Sequence, residues 1–272
     1  MITMLPLKYL ISAISLFACS AIANEVNIVH IAQEQRVQYA RDDYLNELLA
    51  KALMRAQYPA DIRAVLIHPH QQRTLIALDT KSLDLYWSMS SPERESLAIA
   101  IKIPLFKGYI GKRALLTSKD SLTRFKGINT IEQLSKLSAV QGHDWPDTKI
   151  MAFNGLHVRP LANYQAMFTL TSSGRIDYFP RSFIEVNSEL EANKQSNLMI
   201  VPNLYISYPT GFYYFVSKRK PKLAGAIEKG LKIMQENGEF DALFNEYFAK
   251  EINNLPYSKA DTVEIKLDNP YF

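Results

Sequence analysis

The stretch Leu83-Asp84-Leu85-Tyr86-Trp87-Ser88-Met89-Ser90-Ser91-Pro92-Glu93-Arg94 decides the fold that we expect for this chain. The large apolar side chains of residues 83–87 fall on alternate positions, which is the period of a short β-strand. A helix-start signal follows at once: Ser91 can cap, Pro92 suits the first helical position, and Glu93 favours the positive end of the helix dipole. The stretch therefore predicts a strand that runs directly into a helix.

Such a junction is a good place for a ligand, because free backbone N–H groups point outward at the carboxyl end of the strand. Ser90 and Ser91 lie at this junction, and Arg94 lies one turn into the helix. The guanidinium group of arginine is a fixed fork of donors that fits a carboxylate. We take these three residues as candidate ligand contacts. The alternative is that Arg94 is an ordinary surface arginine on a short helix.

The sequence before this stretch predicts two further strand–helix pairs. Strands are expected at residues 26–31 and 62–67, and helices from Asp42 or Asp43 and over residues 71–80. The resulting β-α-β-α-β order predicts a parallel sheet with right-handed crossovers, and so an α/β fold.

The rest of the chain repeats this style in a second unit. Extended residues with two glycines and a proline predict a crossing into that unit near Gly108, and a similar run predicts a return near Pro202. Within it, Thr130 opens a capping box, residues 176–180 form a strand, and Ser182-Phe183-Ile184-Glu185 forms a second capping box.

The first 23 residues are typical of a secretory signal peptide, in which Lys8 precedes an apolar run over residues 9–22. We expect cleavage between Ala23 and Asn24. Lipidation at Cys19 is the less favoured alternative, because the bulky Phe17 spoils the lipobox pattern.

Composition restricts what the mature chain can do. Removing 23 of 272 residues leaves 249, with a net charge of +3 once Lys8 is gone and with no cysteine. Disulfides and a thiol nucleophile are excluded, and so mild a charge gives no reason to expect nucleic acid as a partner. The length suits one large domain or two of ordinary size. With no later segment apolar enough to span a membrane, we expect an exported, soluble monomer in a periplasm.

Two later strand–helix junctions supply further candidates. Gly142 lets the backbone approach a ligand, with His143 and Asp144 beside it, and Arg181 precedes the predicted second capping box. If the two units face each other, Arg94 and Arg181 converge on an anion such as a carboxylate, and Asp144 could accept from an amine. The alternative for Asp144 is a simple helix cap.

Four aromatic residues flank these junctions and could contact the apolar part of a ligand; core packing is the alternative for each. They are Trp87, Tyr109, Trp145 and Phe179. We expect no metal, because the proline in His68-Pro69-His70 makes a shared metal awkward and no further ligand follows at a suitable spacing. No motif for a cofactor is present either.

With these residues in view, the mature chain resembles the type 2 periplasmic binding proteins, specifically the family 3 solute-binding proteins of amino-acid ABC importers. The resemblance rests on Leu83-Asp84-Leu85, Ser91-Pro92-Glu93-Arg94, Gly142, Gly174-Arg175-Ile176-Asp177 and Gly238-Glu239-Phe240-Asp241. It implies two α/β lobes joined by crossing strands: residues 24–108 in the first lobe, 109–202 in the second, and 203–272 in the first again with a C-terminal tail.

The resemblance also implies a role. The arginine that matches Arg94 grips the α-carboxylate of the ligand, the turn at Gly142 supplies backbone donors, and an inner-membrane ABC permease receives the ligand. One departure concerns the amine: the acidic residue usual five positions after the match to Asp177 is Ser182 here. We expect a binding protein for a carboxylate-bearing ligand. A sensing partner of a membrane signalling protein is the first alternative, and a small enzyme using His143 and Asp144 is the last.

Overall fold

The computed structural model describes residues 26–34, 40–67, 70–80, 82–258 and 260–272. The predicted signal peptide, its cleavage site, Cys19 and His68 lie outside these residues. Among the described residues, no helix is both long enough and apolar enough to cross a membrane.

The described chain alternates strands and helices, as the sequence predicts. The strands are β1 (Asn27–Glu34), β2 (Ala60–Ile67), β3 (Leu85–Met89), β4 (Ile99–Ala100), β5 (Lys112–Ser118), β6 (Ser138–Gly142), β7 (His157–Leu161), β8 (Phe179–Ser182), β9 (Leu198–Ser207), β10 (Phe212–Val216) and β11 (Val263–Lys266). The helices are α1 (Ala40–Arg55), α2 (Gln71–Ala77), α3 (Pro92–Leu97), α4 (Ile131–Leu134), α5 (Pro146–Phe153), α6 (Tyr164–Ser172), α7 (Val186–Ala192), α8 (Pro221–Glu236) and α9 (Glu239–Asn253).

The first lobe is built on a five-stranded sheet in the order β2-β1-β3-β10-β4. Strands β1, β2 and β3 are parallel, so the predicted β-α-β-α-β unit is confirmed, and β10 pairs antiparallel with β3. Helix α1 buries an apolar stripe that includes Leu45, Leu48 and Leu49. Helix α8 crosses α1 closely at Gly230, where an added Cβ would lie 1.8 Å from the carbonyl oxygen of Ala52.

The second lobe is built on a four-stranded sheet in the order β11-β9-β5-β8, with β6 and β7 as a parallel pair beside it. A single bridge between Ala139 and Tyr178 connects the pair to the region of β8. Strand β11 comes from the C-terminal tail and pairs parallel with β9, so the tail finishes the second sheet.

The chain passes between the two sheets three times, the third time when the tail leads to β11. It leaves the first sheet at Ala100 and enters the second at Lys112, then returns between Ser207 and Phe212. At the second passage, the N–H of Ser90 donates to the carbonyl of Gly211 over 2.8 Å. The carboxyl end of β3 is therefore fastened to the connection between the lobes.

Local start signals are mostly confirmed. Ser91 caps α3 by accepting from the N–H of Arg94, Pro92 is the first helical residue, and Thr130 forms the predicted capping box with Gln133. The predicted second capping box is wrong: Ser182 ends β8, and α7 begins at Val186 without a side-chain cap.

Tertiary contacts explain this difference. The hydroxyl of Ser182 donates to the carbonyl of Tyr109 over 3.2 Å, and Ser182 pairs with Arg113 across β5 and β8. Glu185 faces basic side chains instead of closing a capping box. Arg181 therefore lies inside a strand that starts three residues later than predicted.

Candidate functional site

A cavity of about 570 Å³ lies between the lobes. Its walls include Arg41, His70, Gln71, Met89 and Phe212 on the side of the first sheet. Across from them stand Ile110, Arg113, Gly142, Asp144, Trp145, Asp147, Tyr164, Arg181 and Glu185, among others. Both lobes thus contribute charged and aromatic side chains to one small-molecule-sized space.

Arg113 is the first anchor of the charged wall. It lies on β5, is buried, and its guanidinium group is 2.5 Å from Asp147 and 3.6 Å from Glu185. Its Nε donates to the hydroxyl of Tyr208 over 2.8 Å, and that hydroxyl donates to Asp147. Burial alone would lower the pKa of Arg113, but the negative charge of Asp147 and its neighbours raises it. Arg113 is therefore a fixed cation at the bottom of the cleft.

Glu185 joins three arginines. Its Oε1 accepts from Arg41 over 2.6 Å, and its Oε2 lies 3.0 Å from Arg181 and 3.6 Å from Arg113. Burial alone would raise the pKa of Glu185, but the charges of the three arginines lower it to about 2. Because Arg41 belongs to α1, this carboxylate ties the first lobe to the second.

Carboxylates and aromatic rings surround the guanidinium group of Arg181. It donates to Glu189 over 2.7 and 2.6 Å, and its guanidinium carbon lies 4.9 Å from the ring centre of Trp145 and 5.0 Å from that of Phe179. Burial would lower its pKa, but Glu185 and Glu189 raise it well above the usual value. The structure thus brings predicted Arg181 to the cavity with its charge already paired.

Arg94 lies at the lobe boundary and is 2% exposed. Its Nη1 donates to the hydroxyl of Ser88 over 2.6 Å and to the carbonyl of Met89 over 3.1 Å, and its Nη2 donates to the carbonyl of Asp144 over 2.7 Å. Burial lowers the pKa of Arg94 despite nearby acids. The alternative of an ordinary surface arginine is therefore excluded.

A second recess, of about 400 Å³, adjoins the cavity and contains Arg94. It is lined by Gln72, Ser91, Pro92, Glu93, Arg94, His143, Asp144, Trp145, Pro146, Lys149 and Tyr271. Asp144 and Trp145 line both spaces. The carboxylate of Asp144 also accepts from the N–H of Gln72 over 3.1 Å. Asp144 thus contacts the first lobe through both its carbonyl and its carboxylate.

The remaining predicted residues are placed as follows. Ser90 is buried and donates to Glu95 over 2.6 Å. Gly142 lines the cavity, and an added Cβ there would lie 2.4 Å from the ring of Trp145. Phe179 is fully buried beneath Trp145 and Arg181.

Trp87 and Tyr109 take part in aromatic packing. Trp87 packs in the core of the first lobe with its ring 6.4 Å from that of Tyr214. Tyr109 lies at the first crossing with its ring 5.6 Å from that of Phe244.

Sequence reasoning missed Arg41, Arg113, Asp147, Glu185 and Tyr208 as site residues. One signal was available: Arg113 begins the run Arg-Ala-Leu-Leu-Thr, and a charge inside an apolar strand needs a buried partner. The positions of Arg41 and Tyr208 carry no such local sign, because only tertiary structure brings Arg41 to the cleft and Tyr208 to Arg113.

Solved structures with the same architecture include periplasmic binding proteins that bind amino acids. An ancestral arginine-binding protein bound to arginine is 16% identical, with a TM-score of 0.59 over 82% of this chain and 98% of that chain. A Salmonella typhimurium periplasmic binding protein with high arginine specificity is 13% identical, with a TM-score of 0.59 over 82% of this chain and 100% of that one.

A histidine kinase sensor domain similar to periplasmic binding proteins is 16% identical, with a TM-score of 0.58 over 82% of this chain and 95% of that one. No protein-family model and no curated protein matches the chain. The expected two-lobed fold of the type 2 periplasmic binding proteins is confirmed by these likenesses.

Proposed function

We propose that this chain is a periplasmic solute-binding protein that closes its lobes on a small, amino-acid-like carboxylate ligand and delivers it to an ABC permease. The cavity of about 570 Å³ between the lobes is the observation that carries the proposal. A space of that size suits a small molecule, and ion pairs hold the charged side chains of Arg113, Arg181 and Glu185 in its wall in place. Export by residues 1–23 belongs to the same proposal.

Closure is driven by contacts that need both lobes. Arg41 with Glu185 and Arg94 with Asp144 are direct links between lobes, and they support a hinge that can bring the walls together. A ligand that touches both walls favours the closed form by as much as its affinity for that form exceeds its affinity for the open one.

The carboxylate of the ligand is assigned to Arg94. The carbonyl of Asp144 accepts from Nη2 of Arg94 over 2.7 Å, and a carboxylate oxygen could accept there in the same way. When the lobes separate, this carbonyl withdraws and the guanidinium group is offered to the ligand. Arg181, already paired with Glu185 and Glu189, faces the rest of the ligand, and Trp145 covers its apolar part.

A sensing role is the second candidate, because one of the similar structures is a histidine kinase sensor domain. The same cavity and closure would serve it, with a membrane signalling protein as the receiver. Deleting the chain's gene separates the two roles: an importer component is needed for uptake of the radiolabelled ligand, and a sensor partner is not.

The test begins with a thermal-shift screen of amino acids, dicarboxylates and polyamines on the exported chain. We expect a carboxylate-bearing compound to raise the melting temperature. Calorimetry with that compound then compares wild type, Arg94→Lys, Arg94→Ala and the control Arg159→Ala, whose side chain is exposed.

Loss of a charge-assisted bond in a closed cleft should weaken binding at least about thirtyfold for Arg94→Ala. The lysine variant should recover only part, since a point charge cannot replace a fork of donors. A screen in which no carboxylate binds would refute the proposed ligand class. If Arg94→Ala binds like Arg159→Ala, the assignment of the carboxylate to Arg94 is wrong.

A further inference from the structure

Three side chains with metal-binding atoms meet on the rim between the lobes. His70 lies just before α2 in the first lobe, and His143 and Asp144 lie between β6 and α5 in the second. One ligand atom from each falls within 4.8 Å of the other two. We propose that these three residues bind a divalent transition-metal cation such as Zn²⁺, which ties the closed lobes together.

The geometry needs only small side-chain movements. Ligand atoms of a tetrahedral zinc site lie ~3.3 Å apart, because zinc–nitrogen bonds are about 2.0–2.1 Å long. The rings of His70 and His143 have their centres 4.9 Å apart and stand almost perpendicular, at 89°. The side chain of His143 is 43% exposed, so it is free to rotate inward, and a hydrated cation can reach it from solvent.

Asp144 is already oriented for this task. Its Oδ2 accepts from the N–H of Gln72 over 3.1 Å, while its Oδ1 lies 3.9 Å from Nδ1 of His143. Hydrogen bonds of this kind to one ligand oxygen hold a metal-binding carboxylate in place. Arg94 is attracted by the charge of Asp144 but donates to its carbonyl and not to its carboxylate, so Arg94 does not occupy the carboxylate oxygens that would bind a cation.

The donor set indicates the class of metal. Two imidazoles and one carboxylate suit Zn²⁺ and similar transition metals, whereas Mg²⁺ and Ca²⁺ prefer oxygen ligands alone. Three protein ligands leave a fourth position for water. Sequence reasoning predicted no metal because it paired His70 only with His68, whereas the other two ligands proposed here come from the second lobe.

The position of the site has a direct consequence. Because His70 and the other two ligands belong to different lobes, a cation bound by all three favours the closed form over the open one. This inference concerns the metal alone and holds whatever ligand occupies the cavity.

The test uses the exported chain after chelator treatment, with Zn²⁺ alone as the probe and no organic ligand. Calorimetric titration should give one equivalent bound to wild type. His143→Ala and His70→Ala should each weaken binding at least tenfold, since loss of a direct ligand should cost no less than the about 10–100-fold lost with an outer-shell partner. His157→Ala is the matched control, because His157 is exposed on β7 and pairs with Ser138, at the opposite end of the β6–β7 pair from Gly142 and the cluster.

Small-angle scattering supplies the second readout. Zn²⁺ should make wild type and His157→Ala more compact and leave His143→Ala unchanged. Absence of stoichiometric binding to wild type, or equal binding by all four proteins, would overturn the site. Binding lost in His143→Ala without any metal-induced compaction in wild type would overturn the link between the lobes. None of these outcomes bears on the solute-binding proposal.

Discussion

Replacing Glu185 by glutamine tests the charged wall of the cleft most directly. The substitution keeps the shape of the side chain and removes a carboxylate that contacts Arg41, Arg113 and Arg181 together. Burial opposes ionisation of Glu185, yet the three guanidinium groups lower its pKa from 4.5 to about 2. A difference of about 2.5 between unfolded and folded pKa is worth about 3 kcal/mol at neutral pH, at about 1.4 kcal/mol for each unit of pKa.

An independent argument gives a similar magnitude. Breaking a buried ion pair by removing one partner costs about 3–5 kcal/mol, because a buried charge is left uncompensated. Here each arginine keeps another acid, Asp42, Asp147 or Glu189, so the lower end of that range applies. We expect Glu185→Gln to lower the free energy of unfolding by about 3 kcal/mol at pH 7.

The depressed pKa of Glu185 also predicts how the stability difference changes with pH. A carboxyl group whose folded pKa is depressed stabilises the fold above its unfolded pKa and loses that contribution as pH falls through the folded value. The difference in free energy of unfolding between wild type and Glu185→Gln should have its full value above about pH 5 and shrink as the pH falls toward about 2.

Urea denaturation followed by tryptophan fluorescence at several pH values measures this gap. Glu191→Gln is the matched control, since that residue lies on α7, the helix that follows Glu185, and pairs at the surface with Lys194. The reasoning would be refuted if Glu185→Gln were as stable as wild type at pH 7. It would also be refuted if the difference in free energy of unfolding between the two proteins did not change with pH.

Three further predictions follow from other parts of the structure. Gly142→Ala should lower the free energy of unfolding by about 1–3 kcal/mol and weaken ligand binding, because the added Cβ would lie 2.4 Å from the ring of Trp145 and displace it. Gly225→Ala is the control for thermal melting, because that glycine lies in open space on α8. Arg94→Lys should melt below wild type even without ligand, since two protein carbonyls and a hydroxyl accept from this buried side chain; an unchanged melt would contradict that. Intact-mass measurement of the exported protein should find a chain that begins at Asn24, and a lipid-modified species beginning at Cys19 would contradict the soluble form.

Elements governed by short-range signals were predictable from the sequence. Ser91 with Pro92 and Thr130 with Gln133 act within three or four residues, so the starts of α3 and α4 need nothing from the rest of the chain. The parallel unit of β1, β2 and β3 was predictable for the same reason, because apolar periodicity and connection length determine it.

The charged wall was not predictable, because its partners are distant in the sequence. Glu185 carries a convincing capping pattern with Ser182, yet three arginines from α1, β5 and β8 hold its carboxylate instead. The sequence predicted Arg94 and Arg181 only as ligand contacts or, for Arg94, as a surface arginine, and both are buried. Buried ion pairs determine the local structure here in place of the capping pattern, since an unpaired buried charge costs more free energy than a missing helix cap.

The pairing of these charges restricts how the cleft can recognise a ligand. Within the described residues, Arg41, Arg113 and Arg181 contact the carboxylates of Asp42, Asp147, Glu185 and Glu189. A ligand anion cannot simply be drawn to a spare positive charge there; it must exchange places with a carboxylate or a carbonyl that already accepts. Such an exchange is cheapest when the ligand brings both a negative and a positive group, so that the displaced acid gains a donor. The cleft should therefore favour a zwitterion over a dicarboxylate of the same size, and an opposite ranking in the calorimetric comparison would contradict this account of its charges.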